Sequence, residues 1–107
     1  MGTRLPSLAP GVRFERGPGR YKYTAIVPSK DARGGEKRVH FGHKDYEQYR
    51  DRVPKARGGG LWSHKDHRDV QRRANYRRRH EGVRTKDGSR AYEVPYSPSW
   101  FSYHFLW

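Results

Sequence analysis

Tyr21-Lys22-Tyr23-Thr24-Ala25-Ile26-Val27 is the stretch on which the fold class turns. Aromatic and β-branched residues fill it, and these suit a pleated, half-buried strand. Strict alternation places Tyr21, Tyr23, Ala25 and Val27 on one face. Residues 37–41 resume the pattern, with Val39 and Phe41 on one side and Arg38 and His40 on the other. A polar loop carrying Pro28 and Gly34-Gly35 separates the two runs, which predicts a β-hairpin with a long connection, ended by Gly42.

Outward from the hairpin, residues 1–20 are punctuated by Pro6, Pro10, Gly11, Gly17, Pro18 and Gly19. No period survives there, which predicts an extended arm that orders on a neighbour, with Leu5, Leu8, Val12 and Phe14 as its apolar points. The remainder, 21–107, reads as one small domain. Residues 44–53 suggest a short helix or turn with Tyr46 and Tyr49 on one face, stopped by Pro54. Residues 55–60, ending in three glycines, read as a flexible insertion.

The best helical pattern spans 64–80, with Ser63 and Asp66 in capping-box positions and Gly82 at the stop. Its apolar stripe is narrow, Val70 and Ala74 continued by His67 and Arg77, with Tyr76 beside it. Arg68, Arg72, Arg73, Arg77, Arg78 and Arg79 cover most of its circumference, and like charges three and four residues apart weaken such a helix in isolation. Guanidinium forks suit phosphate or acidic protein surfaces, so these arginines are the candidate contacts to nucleic acid or to an acidic partner. Alternating polar readers of base edges are missing, which argues against sequence-specific recognition.

From residue 91 the character changes. Tyr92, Tyr96, Trp100, Phe101, Tyr103, Phe105 and Trp107 crowd a segment that holds Glu93 but no lysine or arginine. Burying one such ring is worth about 1.5–3 kcal/mol, so the tail must fold back or dock. Base stacking would call for rings interleaved with cations. Here the two are separated along the chain, and the rings read as hydrophobic anchors. Val39, Phe41, Tyr76, Trp100, Phe101, Phe105 and Trp107 are the expected core or interface anchors.

Composition bounds the rest. The net charge is +13 over 107 residues, and 32% of residues are hydrophobic. These values predict a thin core, ordered in part by a partner, and a chain that meets an anionic surface. With no cysteine, disulfides and thiolate metal sites are excluded. His40 and His43, like His64 and His67, are three apart, but an all-histidine structural site is uncommon and Arg38, beside His40 on the strand, repels a cation, so no metal is expected. His-Lys-Asp occurs at 43–45 and 64–66 without the spacers that a phospholipase D type signature needs. No catalytic set or phosphate loop emerges, and neither enzymatic activity nor a cofactor is expected. No apolar run of about 18 residues offers a membrane span, and no apolar segment follows Arg4 and Leu5 to suggest a secretory leader.

Several of these pieces occur in a recognisable order: Val39-His40-Phe41-Gly42, the pair Tyr46 and Tyr49, His64-Lys65-Asp66, then Arg72-Arg73, Tyr76 and Arg79-His80, and last Trp100-Phe101-Ser102 through Leu106-Trp107. In this the chain resembles, over about residues 37–107, a family of small uncharacterised basic proteins of nucleocytoplasmic large DNA viruses, with similar segments in tailed phages. The spacing between His64-Lys65-Asp66 and the arginine pair is longer here by about one helical turn, and the segments 1–20 and 55–60 are particular to this chain. The resemblance carries no activity. It implies a viral setting: a virion structural protein made in the host cytoplasm or nucleus, a minor capsid or inner-shell cement component held by capsid subunits, or alternatively a sequence-nonspecific DNA-binding or packaging protein. The expected architecture is α+β: a β-hairpin, one basic helix across it and an aromatic segment closing the core.

Overall fold

A computed structural model describes residues 5–107. The fold is α+β: a three-stranded antiparallel sheet in the order β1-β2-β3, with β1 at Arg13–Arg16, β2 at Tyr21–Pro28 and β3 at Glu36–His43, and two helices, α1 at Val70–Glu81 and α2 at Pro98–Phe105. The β2–β3 hairpin forms as its alternation predicts, pairing Tyr23 with Phe41 and Ala25 with Val39. Tyr21 departs from the expected core face: it is 46% exposed and its ring lies against His40.

The N-terminal segment corrects the expectation of an arm. Residues 13–16 form the third strand, and Val12 and Phe14 are buried. Gly17-Pro18-Gly19 is a hairpin turn rather than a linker, closed by Gly17 N–H to Lys22 O at 3.0 Å and Tyr21 N–H to Pro18 O at 3.1 Å. Residues 5–12 are also fastened: Arg57 donates from Nη1 to Ala9 O at 3.0 Å and Val12 O at 2.7 Å. Residues 1–4 lie outside the described residues.

Nor is the core thin. Rings make up for the low apolar fraction, since each buries far more area than an aliphatic side chain. Tyr23, Phe41 and Phe101 stack at 5.5 and 5.0 Å, and Tyr96 extends the column at 5.8 Å from Phe101. Phe14 meets Tyr23, Phe41 and Phe101 edge-on. Val39, Phe41, Trp100, Phe101 and Phe105 are buried in this cluster, and Trp107 packs half-buried at its margin. The C-terminal rings reach it from α2, which starts at Pro98 and is capped by the Ser97 hydroxyl, accepting from Trp100 N–H at 3.1 Å.

Residues 44–53 open on a turn at Lys44-Asp45, one of the two forms expected, and no helix follows because the backbone of Gln48 pairs with Lys65 and His67. Two other segments differ from expectation. Residues 55–60 are not a loose insertion: a short 3-10 turn at Lys55–Arg57 leads into Gly58, where a Cβ would stand 2.0 Å from Phe14 O. The glycine is required by that close approach of two backbones. Helix α1 begins at Val70 rather than 64, because Arg68 takes φ +54° and Asp69, not Ser63, caps it, accepting from Gln71 and Arg72 N–H at 3.0 and 3.1 Å.

Candidate functional site

Helix α1 has no buried residue, and only part of the stripe read from the sequence faces inward: Arg77 does, with Tyr76 beside it, and Val70 and Ala74 do not. Val70, expected inward, is 69% exposed, and Ala74 is exposed as well. The inward row is Arg73, Tyr76, Arg77 and His80, spaced i, i+3, i+4, i+7. Aromatic stacking replaces aliphatic packing along it: Tyr76 lies parallel to Trp107 at 4.0 Å and to His80 at 4.4 Å.

This orientation divides the six candidate arginines. Arg73 and Arg77 are structural. Both donate from Nε to the main-chain oxygen of Trp107, at 2.7 and 3.0 Å, and Arg77 also reaches Tyr103 O. Arg52 joins them at His104 O, 2.9 Å away. Three guanidiniums thus cap the carbonyl end of α2, where orphan acceptors and the negative dipole end favour cations. Burial, with Arg73 and Arg77 nearby, lowers the Arg52 pKa to about 10. Arg68, Arg72, Arg78 and Arg79 are exposed. Arg72 pairs with Glu47 at 3.0 Å, and among the described residues no carboxylate lies within ion-pair distance of Arg68, Arg78 or Arg79.

Between this helix and the Gly42 end of the hairpin lies a cleft of about 590 Å³. Tyr76, His80 and Trp107 form one wall, and Tyr21, His40, His43 and Tyr46 form the other. Arg72, Arg79, Glu47 and the buried Lys22 bring charge to the cleft, and Leu106 and Gly42 also line it. Gly42 has φ +75°, and a Cβ there would lie 3.0 Å from Leu106 Cδ1. Rings and cations that are distant in sequence therefore meet in space, which corrects the expectation that they stay apart. Burial, helped by Arg79, pushes the His80 imidazole below its usual range.

Behind the cleft is a polar seat that pattern reading missed. Lys22 is 2% exposed and Gln48 0%. The Lys22 ammonium donates to Tyr46 O at 2.6 Å and to Gln48 Oε1. Gln48 Nε2 donates to Trp62 O at 2.8 Å and to Asp66 Oδ1 at 2.6 Å, and Asp66 also accepts from Asp51 N–H at 2.7 Å. Asp51 accepts from the Tyr23 hydroxyl at 2.5 Å and from Trp62 N–H at 2.9 Å. Burial lowers Lys22 to about 8, with Lys65 adding to the shift. Each buried group is satisfied by another or by the backbone, as buried polar groups must be. The only advance sign was charge within an otherwise strand-like run at position 22. Its partners lie more than 20 residues away, beyond local pattern.

The paired histidines form no common site: His64 lies against Trp62 and His67 against Trp107, while His40 meets the Thr24 hydroxyl. Among the described residues no group of three or more His, Asp or Glu is placed to hold a metal, and no helix is long and apolar enough to cross a membrane. In comparisons with known proteins, no family model, curated protein or solved structure matches the chain.

Proposed function

We propose that the protein is a non-enzymatic component of a large double-stranded DNA virus particle, a minor capsid or inner-shell protein that docks electrostatically on an acidic partner. The outward arginine face of α1 carries this reading. Arg72, Arg78 and Arg79 stand exposed on α1, which has no buried residue, and Arg68 stands exposed just before its first turn, so this side is open to a partner. The family resemblance supplies the particle setting. The ionisable groups behind the cleft support a binding role over a catalytic one, because the buried Lys22 and the half-buried Asp51 and Asp66 direct their hydrogen bonds at the scaffold.

Stepwise dissociation of particles of the encoding virus tests the proposal. The protein should stay with shell proteins after nuclease treatment, and incorporation should fail for a variant with Arg68, Arg72, Arg78 and Arg79 changed to Ser. Absence from particles would overturn it.

The cleft favours a second reading, sequence-nonspecific nucleic-acid binding. If those four arginines each meet a phosphate on duplex DNA, affinity should fall by about a hundredfold between 50 and 200 mM salt. Release of the protein together with the genome would favour this reading over the first.

A further inference from the structure

The geometry points to the cleft as a binding site for single-stranded nucleic acid, in which a base stacks on Tyr21 or Tyr46 and the adjoining phosphates meet Arg72 and Arg79. This deepens the second reading and rests on it for the class of partner.

Three observations converge here. First, Tyr46 is 67% exposed and Tyr21 46%, and they are the large aromatic residues among the exposed hydrophobics. Both line the same cleft. A large exposed apolar side chain is informative when it is grouped with others rather than scattered. Each has one imidazole neighbour, His40 at 5.3 Å from Tyr21 and His43 at 4.7 Å from Tyr46, which restricts the ring while much of its surface stays exposed. Preset rings lower the entropy lost on stacking a base.

Second, the volume of about 590 Å³ falls in the range that holds a ligand of nucleotide size. Gly42 keeps the floor clear, since a side chain there would press on Leu106.

Third, the charge is placed for a phosphate chain. Arg79 has no carboxylate partner among the described residues, and Arg72 is held by Glu47, itself at the cleft. A phosphate would compete with Glu47 for the Arg72 fork. The aromatic-plus-arginine lining suits unpaired bases, whose faces are open, better than a duplex, whose faces are stacked. It needs no base-edge reader.

Calorimetric titration with a ten-nucleotide oligothymidylate, an abasic strand of equal length and a duplex of equal length tests the site. Oligothymidylate should bind more tightly than the abasic strand and the duplex. The Tyr21→Ala/Tyr46→Ala variant should lose between about fivefold and about a hundredfold in affinity, while Tyr21→Phe/Tyr46→Phe should keep it. Arg72→Ala/Arg79→Ala should flatten the salt dependence of log affinity by about 1.4. Glu47→Gln should strengthen binding by up to about fivefold, and Glu15→Gln, the same charge change on the outer sheet face at its pair with Arg38, should not. Should the tyrosine-to-alanine variant fail to fold, the two glutamate variants still decide. Equal affinity for the thymidylate and abasic strands, wild-type affinity in a folded alanine variant, or equal gains from Glu47→Gln and Glu15→Gln would overturn the site. Duplex binding that survives such a result would leave the second reading standing without the cleft.

Discussion

Raising the pH from 7 to 9.5 should stabilise this protein, against the usual expectation for a folded domain. The perturbed group is Lys22, whose pKa falls from 10.5 to about 8 on burial. At pH 7 its ammonium is charged in both folded and unfolded chains, and the folded state carries the desolvation penalty. At pH 9.5 the folded chain has released the proton and the unfolded chain retains it. The unfolded state then binds more protons, so stability rises with pH. Integrating between those pKa values gives a gain of about 2 kcal/mol by pH 9.5, or roughly 8 °C in Tm for a domain of this size. Arg52, near 10 when folded, adds little below pH 9.5. Above pH 10 the sign reverses. Burial raises the hydroxyl pKa of Tyr23 and Tyr76, so the folded state retains protons that the unfolded chain loses. Stability should therefore peak between about pH 9 and pH 10.5. Urea unfolding followed by far-ultraviolet circular dichroism at several pH values measures this. Lys22→Met keeps the shape and lacks the titrating group. It shares any general relief of charge repulsion, so the difference between the two proteins isolates Lys22. A wild-type curve flat from pH 7 to 9.5, or an equal rise in Lys22→Met, refutes the reasoning.

Two further outcomes follow from packing and capping. Removing residues 100–107 takes Phe101 and Phe105 out of the ring cluster and should abolish independent folding, so a truncated chain with an unchanged melting transition would contradict the core assignment. Asp69→Ala leaves the Gln71 and Arg72 N–H groups uncapped and should lower stability by about 0.5–2 kcal/mol in urea titrations, with the loss confined to the variant's midpoint and not its slope.

The hairpin was legible because strand alternation is a local signal: Tyr23, Ala25, Val39 and Phe41 state their face within a few residues. Strand β1 was not, because Gly17-Pro18-Gly19 reads equally as linker or turn. The choice depends on whether Phe14 finds a long-range partner, which it does in Phe101 at 5.7 Å. The start of α1 was misplaced because the capping pattern at Ser63 is sound locally, yet the backbone of 65–68 is drawn into pairing with residues 48 and 49. For the site, the arginines were legible as a group but not in their division of labour. The spacing of Arg73, Tyr76, Arg77 and His80 held that information. Two aliphatic residues, Val70 and Ala74, outweighed it because a basic row is an unusual inner face. The cleft itself joins residues from 21 to 107 and has no local signature.

The three indoles occupy three distinct environments, and this gives the molecule built-in optical reporters. Trp62 is buried with its Nε1–H donating to Lys22 O at 2.8 Å, and Trp100 is buried among the core rings. Trp107 instead lies half-open at the cleft, stacked on Tyr76. Emission from Trp62 and Trp100 therefore reports denaturation, whereas Trp107 stands where a molecule placed in the groove would touch it. Replacing the other two indoles with phenylalanine turns one chain into separate probes for the two events.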